Sequence, residues 1–115
     1  MKFILTNNPL VFERLKSTTS IDFQDVSLHN ILLAARDYIH KGHKLLSHPL
    51  SGSIKPNETL YKSIWLTQRT EELDMQSLNI IEGAVLLAKN FDERDITILE
   101  QYKEHMQMLD LGLIQ

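Results

Sequence analysis

The chain has 115 residues, of which 43% are hydrophobic and 23% charged, a composition suited to one globular domain spanning 1–115. It contains no cysteine, which excludes disulfides, thiolate nucleophiles, iron–sulfur clusters and cysteine-based zinc sites. A formal net charge of −3 argues against nucleic acid as a partner. No apolar run approaches the roughly 18 residues of a membrane span, and the opening Met1–Thr6 run is too short for a signal-peptide core. The expectation is a cytoplasmic protein with no membrane partner.

Residues 2–6 form a short apolar run, stopped by Asn7 and Asn8, and read as a buried strand. Asn8-Pro9 is a helix start: the amide oxygen can cap, and proline at the first helical position needs no N–H partner. That helix runs to about Lys16. After the polar stretch 17–20, Ile21 and Phe23 alternate with Asp22 and Gln24, as in a half-buried strand. Asp25 or Ser27 can cap the next helix, about 27–41, whose Leu28, Ile31, Leu32, Ala35, Tyr38 and Ile39 make one apolar stripe. Gly42 is a suitable terminator, and 44–47 then reads as a third strand.

Residues 48–60 show neither period and hold two of the three prolines. So long an irregular stretch inside a compact domain points to an ordered functional loop. Residues 61–67 are β-rich and read as a fourth strand. Asp74 can cap a helix to about Phe91, and Asp92 a last helix over about 93–109, with Ile96, Leu99, Tyr102, Met106 and Leu109 inward. The tail Leu111-Gly112-Leu113-Ile114 is expected to fold back onto the body.

Strand–helix alternation predicts a three-layer, Rossmann-like α/β domain with three parallel strands, a fourth strand at the edge whose direction the sequence leaves open, antiparallel being one option because it follows a loop, and two C-terminal helices. In open α/β sheets ligands sit beyond the carboxyl ends of the strands. Asn7-Asn8, Gln24-Asp25 and His48 would all arrive there, together with the start of the loop. Asn7 and Asn8 offer amide donors and acceptors suited to a carboxylate, amine or amide. Ser51-Gly52-Ser53 can form an anion-binding nest of backbone N–H groups, with Lys55 adding charge and Asn57 a further amide. The candidate binding set is therefore Asn7, Asn8, His48, Ser51, Gly52, Ser53, Lys55 and Asn57, for a small metabolite or anion. No Walker A or Gly-x-Gly-x-x-Gly pattern is present.

His48 is the one candidate acid or base, because an imidazole exchanges protons near neutral pH. No nucleophile elbow stands beside it. His40, His43 and His48 lie within nine residues, but His40 and His43 straddle a helix end and need not share a face, and without cysteine a carboxylate such as Asp37 would have to help complete the ligand set; no metal site is expected, and no cofactor. His29, Leu33, Arg36 and His40 form a second helical stripe off the core face, a candidate partner surface.

The opening Leu5-Thr6-Asn7-Asn8-Pro9-Leu10-Val11 resembles the GrdX family, and the stretch from Arg36 to Thr59 resembles it more strongly, with His48-to-Thr59 the most specific part. This family accompanies the glycine, sarcosine and betaine reductase systems of amino-acid-fermenting anaerobes. The resemblance implies an association with a pathway, and no established reaction or catalytic residue comes with it. Those systems use thiol and selenol chemistry, which a chain without cysteine cannot supply. The expected function is a non-redox accessory protein that binds a small anionic or amino-acid-like ligand at the loop after strand three. The alternatives are an assembly partner of a reductase subunit and, last, a hydrolase or transferase using His48.

Overall fold

A computed structural model of the protein describes residues 2–49, 60–70, 72–88 and 100–115. Among these, three strands and four helices follow one another as β1 (Lys2–Thr6), α1 (Pro9–Leu15), β2 (Ile21–Phe23), α2 (Leu28–His40), β3 (Ser63–Thr67), α3 (Met75–Ala88) and α4 (Lys103–Ile114). The strands form one mixed sheet in the order β2-β1-β3. β1 and β2 run parallel, with Ile4 opposite Ile21 and Thr6 opposite Phe23. β1 and β3 run antiparallel, with Lys2 opposite Thr67 and Thr6 opposite Ser63.

This corrects the expected Rossmann-like sheet of three parallel strands with a fourth at the edge. Only one pair is parallel, and β3 lies directly beside β1. Residues 44–47 do not form a strand; they contribute a single antiparallel bridge, Leu45 to Leu66. The reason lies in the hydroxyl side chains around them. The N–H of Lys44 donates to Thr67 Oγ1, that of Leu45 to Ser77 Oγ, and that of Trp65 to Ser47 Oγ, at 2.8, 3.0 and 3.0 Å. The bridge itself keeps two backbone bonds, Leu46 N–H to Trp65 O and Thr67 N–H to Lys44 O, and the hydroxyls take the Lys44 and Trp65 N–H groups that would have extended it. Strand–helix alternation does not reveal which strand becomes the neighbour of β1.

Side chains on a strand alternate between faces, and β1 shows the result. Leu5 joins Ile64 and Leu66 in a core with Leu28, Ile31, Leu32, Ala35 and Ile39 of α2 and Ile81, Ala84, Val85 and Ala88 of α3. Ile4 packs on the other face with Val11 of α1, Leu111 and Ile114 of α4, and half-buried Trp65. Helices therefore cover both faces of the sheet.

The first three helix starts each follow from a short polar side chain. Asn8 caps α1 through Leu10 N–H, with Pro9 at the first position. Ser27, not Asp25, caps α2 through Asn30 N–H. Asp74 caps α3 by accepting from both the N–H and the hydroxyl of Ser77, which hold its carboxyl below the usual range. The chain turns away after α2 at Gly42, whose φ of +103° is open to glycine and strained for other residues.

α4 departs from the expected frame. It continues through the tail to Ile114, and its buried residues are Met106, Asp110, Leu111 and Ile114. Tyr102 and Leu109, expected inward, are exposed. Ile96, Leu99 and the expected end of α3 at residue 91 lie outside the described residues.

Candidate functional site

The carboxyl ends of β1 and β2 and the amino end of β3 meet at one edge of the sheet, because β3 runs the other way. Two structures stand there, a buried polar network and a cleft in front of it.

The network begins with Asn7 and Asn8, both buried. Asn7 Nδ2 donates to the carbonyls of Val26 and Leu60 at 3.0 and 2.9 Å, and its Oδ1 accepts from Lys62 N–H at 2.9 Å. One amide thus joins the approach to α2 with the approach to β3. Asn8 Oδ1 caps α1, while its Nδ2 donates to Gln107 O at 2.9 Å and Asp110 Oδ2 at 3.0 Å. Ser63 donates to Asp110 through both its N–H and its hydroxyl, and its hydroxyl lies 2.7 Å from Thr6 Oγ1. Thr6 Oγ1 in turn accepts from Asn8 N–H at 2.9 Å. Lys62 is buried beside this group; burial pushes its ammonium group down in pKa, and the Asp110 carboxylate acts in the opposite direction. No buried side-chain nitrogen or oxygen among the described residues lacks a partner.

The cleft has a volume of about 430 Å³, and Asn7, Asp25, Ser27, His29, Tyr61 and Glu100 supply its polar wall. Val26, Leu28, Leu60 and Ala88 supply the apolar remainder. α2 begins at this wall, so its first-turn N–H groups, which have no acceptor inside the helix, lie there. Asp25 and Glu100 bring two carboxylates, His29 an imidazole and Tyr61 a phenol. The Tyr61 oxygen also accepts from Gln107 Nε2 at 3.0 Å, tying the cleft rim to α4.

Of the residues singled out from sequence, the structure brings Asn7 to the cleft and places Asn8 one step behind it, in the network. His48 is exposed. Ser51, Gly52, Ser53, Lys55 and Asn57 lie outside the described residues. His43 is occupied elsewhere, its Nδ1 donating to Thr67 O at 2.7 Å. No cluster of three or more metal-ligating side chains occurs among the described residues. The stripe on α2 is less open than its spacing suggests: Leu33 packs against the core, and Arg36 pairs with Glu82 of α3 at 3.6 Å.

Asp110, like Thr6, Ser63 and Glu100, is not singled out in the sequence. A signal for it is present, since Met106, Asp110 and Ile114 recur at four-residue steps and share a helical face. An acid on an apolar face asks for a buried partner. Ser63 and Asn8 are those partners.

The fold and this edge define a small α/β domain, with helices on both faces of a mixed sheet and a polar cleft at the carboxyl end of its parallel strand pair. The chain belongs to the GrdX-like protein family, whose model matches residues 3–115, as the resemblance of the opening and of residues 36–59 implied. Comparison with curated proteins and with solved structures finds no match. No described helix is long and apolar enough to cross a membrane.

Proposed function

We propose that this protein is a non-redox accessory component of a glycine reductase-type system, and that its cleft binds a small amino-acid-like ligand. Family membership supports the pathway association. The observation that carries the ligand class is the pairing of Asp25 and Glu100 with the start of α2 around one cleft. An ammonium group suits the two carboxylates, and a carboxylate suits the first-turn N–H groups of a helix. A simple anion suits the second and is repelled by the first. Asn7 holds the cleft floor in register.

Thermal melting of the purified protein with glycine, sarcosine, betaine, acetate and methylamine tests this. A ligand at 100 times its Kd adds about 2.7 kcal/mol, a shift above about 5 °C for a domain of this size. The amino-acid-like compounds should raise Tm, acetate and methylamine should do so less, and Asp25→Asn should abolish the shift. A flat panel would remove the reading.

A second reading, assembly with a reductase subunit, draws on the neighbouring exposed Leu86 and Leu87 of α3. Co-purification with a reductase component, lost in the double variant Leu86→Ser with Leu87→Ser, would favour it over ligand binding.

A further inference from the structure

The opposite edge of the sheet carries a second cleft, of about 560 Å³, lined by His40, Lys41, Gly42, Arg69, Thr70 and Leu73. Two separate segments build it. His40 and Lys41 close α2, and Arg69 and Thr70 follow β3. Thr70 fastens the two together, since its N–H and its hydroxyl both donate to Gly42 O at 2.8 Å. The approach is so close that a Cβ on Gly42 would fall 2.1 Å from Thr70 O. The geometry of this edge is therefore fixed.

Its chemistry is basic in a chain of net charge −3. The ion pairs among the described residues are Lys16–Glu13 and Arg36–Glu82; His40, Lys41 and Arg69 take part in neither. A cation near a helix C-terminus is favoured by the helix dipole, and that accounts for Lys41. It does not account for Arg69, which comes from another segment. The last carbonyls of α2 are also occupied: Asp37 and Tyr38 O accept from Lys41 N–H, and Ile39 O from Gly42 N–H. Among the described residues, the nearby acids Asp37 and Glu72 are exposed and do not line the cleft.

We propose that this basic cleft binds a multiply charged phosphate ligand, such as a diphosphate or a nucleoside phosphate. A guanidinium matches two phosphate oxygens at once, and an ammonium serves as a point charge. Lys41 and Arg69 at an exposed surface give a singly charged ion little, because each such pair is weak and screened by salt. Several charges on one ligand engage both together, with the His40 ring at the same rim as a hydrogen-bonding group. The site is separate from the amino-acid-like cleft, and each reading stands or falls alone.

The test is a ¹H–¹⁵N titration of the full chain at low salt with inorganic pyrophosphate, a nucleoside diphosphate and acetate. Pyrophosphate should move the Gly42 and Thr70 amides with a Kd of about 1 mM or tighter. Acetate should not move them. Arg69→Ala should weaken binding about tenfold at unchanged Tm, and Lys41→Ala should weaken it too. Pyrophosphate and nucleotide binding alike would assign recognition to the phosphates; a preference for the nucleotide would add a base contact to the same site. No amide shift at about 10 mM pyrophosphate, or equal binding by Arg69→Ala, would overturn the proposal.

Discussion

Asp110 holds Ser63 twice, its Oδ1 accepting the Ser63 N–H at 3.1 Å and its Oδ2 the Ser63 hydroxyl at 2.7 Å. This fixes the last turns of α4 on the first residue of β3, and Asn8 Nδ2 adds a third donor. A carboxylate at 4% exposure is tolerated only with such partners. Asp110→Ala leaves the Ser63 N–H and Asn8 Nδ2 without this acceptor and should cost about 3 kcal/mol. Urea unfolding measures it. Asp110→Asn, which keeps the shape and part of the bonding, should cost less.

Asn7→Ala removes three hydrogen bonds, to Val26 O, Leu60 O and Lys62 N–H. The expected loss is about 2–4 kcal/mol, given buried groups left partly unmatched. Amide hydrogen exchange locates the damage, since Lys62 N–H should lose protection before the amides of α1. The variant tests the frame of the cleft. Asp25→Asn, on an exposed side chain, tests the ligand.

Tyr38 donates to Asp22 Oδ2 at 2.5 Å. Burial first, then this bond, then the Asp22 charge push its phenol up to about 12. The folded value lies above the ordinary one of about 10. The folded chain therefore keeps a proton that the unfolded chain releases, and stability should fall as pH rises from about 10 to about 12. Phenolate absorbance should show a late-titrating component in wild type that Tyr38→Phe removes. Lys62 has the opposite sign. Burial pulls its value down, so its contribution to stability grows as pH rises toward about 10.5, a rise that Lys62→Met should remove.

Gly42→Ala meets both the positive φ and Thr70 O. It should destabilise by about 1–3 kcal/mol or more. Gly83→Ala is the control. Gly83 lies within α3 with open space where a methyl group would stand, and alanine there should stabilise by about 0.5–1 kcal/mol. Thermal melting of the two variants should give shifts of opposite sign.

Sequence signals are legible where one residue decides a local structure. Asn8-Pro9 starts α1, Gly42 ends α2, and the stripe through Ile31, Ala35 and Ile39 faces the core. Non-local pairing is not legible. Nothing in Lys44–Ser47 shows that the Thr67 and Ser47 hydroxyls will cut the ladder to a single bridge, or that β3 will claim the slot beside β1. The carboxyl edge is legible as a place: Asn7 and Asp25 do meet at one cleft. Its inner chemistry is not, because Asn8, Ser63 and Asp110 are far apart in sequence and acquire meaning only together. Glu100 joins Asp25 for the same reason.

The bond from Asn8 to Asp110 spans 102 positions, and it has a consequence for the order of assembly. The ribosome delivers β1 before every other element of the domain and α4 after them. Until α4 docks, Ile4 and Val11 lack the Leu111 and Ile114 that cover them, and Asn8 and Ser63 lack their acceptor. Contacts so distant in sequence slow folding, and apolar surface left open in the meantime invites aggregation. The central strand, first to be made, is thus covered on its second face only once α4 arrives.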